Sequence, residues 1–205
     1  MELYGTRVII RAWERHDDEL ADAWPPYNDP LDPLWNLPRR LSFGPEMWSS
    51  IFENGIQRRS WAVEQHDGTL IGRISLREID ERRSQARLGV TFGAPYVGRG
   101  LGTEALTLFL EYYFESLQYR MMVLDVAAPN QRAVRCYTRL GFRYVDSDWR
   151  DAGSLFDRHI LELPKYAQLR RYFREDPRGL KVEFYEMQLG REEWARRRAM
   201  ISRCG

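Results

Sequence analysis

Lysine is nearly missing from this 205-residue chain: of its 31 basic residues only Lys165 and Lys181 are lysine, leaving 29 arginines. No lysine precedes position 165, which excludes a P-loop, whose Gly-Lys-Ser/Thr ending sets a lysine against nucleotide phosphates. Cysteine is scarce as well. Cys136 and Cys204 are too few and too far apart for a disulfide framework, and they read as free thiols of a reducing compartment. No apolar run approaches the roughly 20 residues that cross a bilayer. The start, MELYGTRVII, has an acid at its second position and no apolar stretch, so it does not read as a secretory signal. A cytoplasmic location with no membrane partner is expected. Charge of one sign is not in excess either. The 30 acids are interspersed with the bases and leave a net charge of +1, so the far field is weak and direct nucleic-acid binding is not expected.

What is present suits a folded protein: 43% hydrophobic and 13% aromatic residues, in a length that fits one domain over 1–205. RVIIRAW (7–13) reads as a strand and HDDELADAW (16–24) as a short helix with acids in its first turn. The segment 25–40, rich in proline and aromatics, has no period; it reads either as buried-loop aromatics or as a substrate-facing lid. GPEMWSSIFENG (44–55) reads as a helix, with proline near its start and glycine at its end. SWAVEQ and LIGRISLREI flank Asp67-Gly68, a hairpin signal, and a second turn leads into QARLGVTF (85–92). A helix follows, with Leu106, Phe109, Leu110, Tyr113, Phe114 and Leu117 on one stripe. RMMVLDVAA (120–128) reads as a buried strand, NQRAVRCYTRLGF (130–142) as a helix capped by Asn130 and stopped at Gly141, and FRYVDSDW as a further strand. Residues 150–181 resist placement, partly helical and strongly charged, and look like an insertion. KVEFYEMQL (181–189) reads as the last strand, and residues about 190–205 as a basic helix or tail with a solvated face.

The stretch YVGRGLGTEAL (96–106) opens a helix with Gly98, Gly100 and Gly102. Glycine admits positive φ and close backbone approach, and a helix N-terminus offers free N–H groups with roughly half a positive charge. A phosphate-bearing ligand is the functional reading; a flexible structural turn is the plain one. A dinucleotide-binding turn matches at Gly98, Gly100 and the strand-end acid Asp125, but its third glycine falls on Thr103 and an antiparallel hairpin series precedes it.

The glycine run, together with NQRAVRCYTRLGF, resembles the GNAT superfamily of acyl-CoA N-acyltransferases, and within it the branch of ribosomal-protein alanine acetyltransferases. The family loop runs Gln/Arg-x-x-Gly-x-Gly/Ala; Gly100 and Gly102 fill its two small positions, while Val97 stands where glutamine or arginine is common. The resemblance covers roughly residues 6–149 and resumes at FYEMQLGREEW. It implies an α/β (α+β) fold: a mixed, mostly antiparallel central sheet with one splayed parallel strand pair and helices on both faces, here with a C-terminal insertion at about 150–181. It implies acetyl-CoA as cosubstrate, with CoA as product. The diphosphate would lie on Val97, Gly98, Arg99, Gly100, Leu101, Gly102 and Thr103. Backbone groups near Thr91 and Phe92 would pair with the pantetheine amides. Arg99 could add a charge-assisted contact.

Asn130 and Tyr137 stand seven residues apart, two helical turns, and so share a face. By resemblance Asn130 binds the pantetheine arm and Tyr137 protonates the departing thiolate; taken singly, they read as an ordinary N-cap and a core aromatic. A glutamate common early in the strand before the loop is replaced by Arg87. In the ribosomal branch an acid five residues before the motif asparagine is a candidate base, and Asp125 occupies that place. The alternatives are a water chain, or an Asp125 paired with arginine and lost as a base. Cys136 reads as packing. No metal is expected. The function implied is N-acetyl transfer to a primary amine by direct attack in a ternary complex, the acceptor being a protein N-terminus (a ribosomal protein among the candidates) or a small amine such as a polyamine or aminoglycoside. A catalytically weak module holding a protein or RNA partner through its arginine-rich C-terminal region is the rival reading. Homodimerisation is left open.

Overall fold

The computed structural model describes residues 1–35, 37 and 58–204. The helix expected over 44–55, and positions 36 and 38–40 of the proline- and aromatic-rich segment, lie outside the described residues.

Among the described residues nine strands form one sheet: β1 (Glu2–Tyr4), β2 (Val8–Ala12), β3 (Arg59–Gln65), β4 (Leu70–Asp80), β5 (Gln85–Phe92), β6 (Met121–Ala127), β7 (Arg143–Asp151), β8 (Phe173–Asp176) and β9 (Gly179–Gly190). Their order is β1-β2-β3-β4-β5-β6-β9-β7, and β8 also pairs with β9. The expected meander is present: β3, β4 and β5 pair antiparallel in sequence, Gly68 turns the β3–β4 hairpin at φ +84°, and β2 adds antiparallel to β3. The pair β5/β6 is parallel, and β6/β9, β7/β9 and β8/β9 are antiparallel. The mixed sheet with one parallel pair is therefore as the sequence implied.

Among the described residues four α-helices accompany it: α1 (His16–Asp22), α2 (Leu101–Glu111), α3 (Gln131–Leu140) and α4 (Arg191–Cys204). Helix α2 buries Leu101, Ala105, Leu106, Phe109 and Leu110, the stripe its period dictates. It ends in a π-turn in which Leu117 N–H reaches back to Tyr112 O at 3.0 Å. That turn swings Tyr113 and Phe114 into the core, where both are fully buried with Phe109. Each such ring contributes about 1.5–3 kcal/mol of transfer free energy. Helix α3 adds Tyr137, Cys136 and Val134 to the same cluster. Helix α1 lies on the opposite side of β4, where Asp18 stands 3.6 Å from Arg73.

Three elements differ from the sequence reading. Strand β1 was not expected; at three residues it is too short to show a period. The 150–181 stretch begins inside β7, which runs on to Asp151. It then forms two short 3₁₀ segments (Arg158–Glu162 and Pro164–Tyr172) before β8. Its charged sequence carries no apolar stripe, so neither β8 nor the 3₁₀ turns announce themselves. Helix α4 is not a solvated face at its start, because Trp194 is buried to 3% exposure against Phe114. A second small core joins Leu31 and Leu34 to Phe156, Val182 and Phe184, and so ties the segment after α1 to the 150–181 stretch.

Candidate active site

The parallel pairing of β5 with β6 runs only from Gln85↔Met121 to Leu88↔Leu124. Both strands continue beyond it. β5 stays on β4 as far as Phe92↔Gly72, and β6 stays on β9 as far as Ala127↔Phe184. Each follows its outer neighbour, and a gap opens between residues 89–92 and 125–127. Gly93 N–H donates to Ile71 O at 3.0 Å. Alternation along the antiparallel ladder then turns the peptide groups of 91 and 89 toward β4, and those of Val90 and Phe92 toward the gap. Thr91, expected to present its backbone there, instead faces β4; Val90 takes that place beside Phe92. Tyr27 donates its hydroxyl to Phe92 O on this open side.

At the mouth of the gap, Gly98 and Gly100 adopt φ +78° and +81°. Both are left-handed conformations that cost a residue with a Cβ roughly 1–2 kcal/mol. Gly100 is the N-cap of α2 and no side chain caps that end, so the first N–H groups of Leu101, Gly102 and Thr103 have no intrahelical acceptor. A Cβ at Gly102 would touch Phe92 Cε2 at 3.4 Å, ordinary contact. The loop is braced from outside by a residue the sequence did not single out. Arg7 donates Nε to Glu104 at 2.7 Å and Nη1 to Arg99 O at 3.1 Å. Its backbone N–H reaches the other Glu104 oxygen at 2.6 Å. Arg99 itself is exposed, and Leu101 sinks its side chain into the core. These two do not line the cavity described below.

Asn130 does cap α3, accepting Ala133 N–H at 3.2 Å through its side-chain oxygen, which leaves its amide nitrogen available. Tyr137, two turns on, packs its ring edge-on against Phe142 at 5.8 Å. Burial pushes its phenol above the usual tyrosine range, with the neighbouring Cys136 thiol adding to the shift. Cys136 contacts Thr103 Oγ1 at 3.4 Å and pins α3 to α2.

Asp125 lies between two arginines. Its Oδ1 accepts from Arg87 Nη1 at 2.5 Å and its Oδ2 faces Arg150 Nη2 at 3.2 Å. All three side chains are at most 9% exposed. Arg87 also binds Glu78 at 2.8 Å and Glu186 at 3.1 Å. Burial alone would pull the Arg87 guanidinium down; the carboxylates of Asp125, Glu78 and Glu186 outweigh it and hold the group above its usual value.

These parts share one cavity of about 730 Å³. Thr91, Phe92, Val97, Gly98, Gly100, Gly102, Thr103, Asn130, Tyr137 and Asp125 all line it. Beyond the gap its walls continue onto groups that sequence reasoning missed, among them Tyr27, Trp35, Arg73, Ser75, Arg77 and Arg150. One signal was available: Gly89, a lone glycine within a strand, marks close approach. A Cβ there would stand 2.6 Å from Ser75 Oγ.

Two parallel strands part over a glycine turn at a helix N-terminus and leave an opening in the middle of the sheet. The family model of the acetyltransferase (GNAT) domain matches residues 7–143, and the chain belongs to that family. It is 32% identical over 80 residues to spermidine N(1)-acetyltransferase of Escherichia coli (strain K12), covering 39% of this chain and 43% of that protein. Putative ribosomal N-acetyltransferase YdaF of Bacillus subtilis (strain 168) is 30% identical over 77 residues, 38% of this chain and 42% of the relative. Uncharacterized N-acetyltransferase p20 of Bacillus licheniformis is 25% identical over 174 residues, covering 80% of this chain and 96% of that protein. The chain thus spans about two fifths of the length of the first two of these relatives. Among solved structures, spermidine N-acetyltransferase from Vibrio cholerae in complex with CoA and spermine superposes with a TM-score of 0.63 at 18% identity, over 93% of this chain and 99% of that one; this likeness is one of fold. Among the described residues no helix is long and apolar enough to cross a membrane.

Proposed function

We propose that this chain is an N-acetyltransferase that moves acetyl from acetyl-CoA to a primary amine by direct attack in a ternary complex. The observation that carries the reading is the continuous cavity, which joins the glycine cradle to the Tyr137 phenol through the gap between β5 and β6. Acetyl-CoA supplies an activated thioester. In this reading Gly98, Gly100 and the uncapped start of α2 hold the diphosphate, while Val90 and Phe92 offer peptide groups to the pantetheine amides as a neighbouring strand would. The free amide nitrogen of Asn130 serves the same arm.

Tyr137 donates its proton to the departing thiolate. Its raised phenol keeps that proton through neutral and mildly alkaline pH, the state a general acid needs. Asp125 we read as an anchor rather than the base, because its carboxylate is engaged by two buried guanidiniums. Taking up a proton there means giving up charge-assisted contacts. The arginines around the gap disfavour an ammonium by like charge and favour the neutral amine, so water leading to solvent suffices as proton acceptor. The ribosomal and spermidine relatives leave a protein N-terminus and a small amine as candidate acceptors.

The test is to mix acetyl-CoA with a panel of peptide N-termini and small amines, following free thiol and the mass of the amine. Equal appearance of CoA thiol and acetylated amine is expected. Tight acetyl-CoA binding without any turnover across the panel would overturn it.

A further inference from the structure

Beyond the gap the cavity has an unusual charge. Arg58, Arg73, Arg77, Arg132, Arg139 and Arg150 line it, against Glu78 and Asp125 alone among its described lining residues. Both acids are already engaged by Arg87, and Asp125 by Arg150 too. Arg132 and Arg139 stand on α3, the helix that carries Tyr137, and Arg132 already lies over the Trp35 ring at 5.0 Å, so they are set aside. Arg73 is occupied with Ser60 Oγ at 3.1 Å and lies over the Trp13 ring at 4.3 Å.

Arg77 is different. It lies across Gly89, with Nε 3.5 Å from where a Cβ would stand, and that Nε is buried with no hydrogen-bond partner. Trp35 Nε1, on the cavity wall contributed by the segment after α1, is likewise buried and unpartnered. Arg58 completes the wall; burial, and after it the like charge of Arg73, pull its guanidinium below the usual value. The wall therefore offers donors and positive charge, and buried donors without partners carry a free-energy cost that a ligand acceptor removes. The CoA diphosphate is too distant to be that ligand. The Arg77 guanidinium lies over Gly89, three residues back from Phe92, or about 10 Å along the strand from the end next to the glycine loop.

We propose that the acceptor amine carries an oxyanion, a carboxylate or a phosphate, which Arg77 receives. This deepens the acetyltransferase reading and rests on it. A free polyamine, all cation, meets the wrong charge here. No bond changes at the oxyanion; it positions the amine at the gap and supplies selectivity.

The test has a binding arm and a turnover arm. In the first, N-acetylated product peptides that differ only in Glu, phosphoserine, Gln or Lys at the second position are titrated against the full chain with CoA present. Glu or phosphoserine is expected to bind about tenfold or more tightly than Gln, and Lys more weakly still; which anion wins identifies the source. Arg77→Gln should bring the anion-to-Gln ratio toward one, and Arg77→Lys should restore part of it, with CoA binding serving as the check on folding. In the turnover arm the free peptides and spermidine are compared by kcat/KM, with the same order expected. Equal binding of anionic and neutral peptides, or preference for Lys or spermidine, overturns the oxyanion proposal. Selective anion binding with no acetylation of any amine leaves it standing and instead sinks the transferase reading.

Discussion

Asp125→Asn separates an anchor from a base. The substitution keeps the shape of the side chain and removes the charge that sits between Arg87 and Arg150, where all three groups are at most 9% exposed. Breaking a buried ion pair by removing one partner commonly costs about 3–5 kcal/mol when the remaining charge is left alone. Here neither is alone: Arg87 keeps Glu78 and Glu186, and Arg150 keeps Asp148 at 3.1 Å. The cost should fall to about 2–3 kcal/mol, which for a chain of this length lowers Tm by about 4–12 °C. Thermal unfolding reads this directly, and a pH profile of kcat/KM on the same variant reads the chemistry. An anchor predicts the drop in Tm, with a rate that still rises with pH as the amine deprotonates. If Tm stays within about 1 °C while kcat falls by about 10² or more, Asp125 is a free base and the reasoning fails.

The glycine loop makes a paired prediction. Gly100→Ala, forced into φ +81°, should cost about 1–2 kcal/mol and weaken the thermal shift given by acetyl-CoA. Gly102→Ala has room and should bind acetyl-CoA as before; the opposite ranking in a thermal-shift titration would remove the cradle assignment. At alkaline pH three phenols with raised values, buried Tyr113 and partly buried Tyr137 and Tyr185, set the limit. Burial raises Tyr113 and Tyr137, and Tyr185 is pushed up to about 12. Their contribution to stability is therefore complete below about pH 10, the unfolded value, and is lost as pH climbs toward the folded values. Phenolate absorbance from these residues should appear only above the ordinary tyrosine range; ionisation at the ordinary tyrosine value in the folded protein would contradict their upward shifts.

Much of the site was legible because it is local in sequence. Gly98 and Gly100 carry their conformational demand in their identity, and the asparagine cap with Tyr137 two turns later follows from the helical repeat. The strand patterns and turn signals gave the meander of β3 to β5, and the family resemblance gave the parallel pair of β5 and β6. What could not be read was created by contacts between distant segments. Arg7 meets Glu104 across 97 residues, and Arg150 reaches Asp125 only because β7 and β6 flank β9. The parity that exchanges Thr91 for Val90 depends on a strand register. The 3₁₀ turns before β8 are held by a second core of residues from both ends of the chain, with no periodic stripe of their own.

The most direct measurement is single-turnover acetyl transfer by Tyr137→Phe beside the unaltered chain, with acetyl-CoA affinity measured on both. The phenyl ring can keep its packing on Phe142 while the proton donor is gone, so affinity should stay within about twofold and the transfer rate should fall by about 10² or more. An undiminished transfer rate at unchanged affinity would contradict the assignment of Tyr137 as the acid.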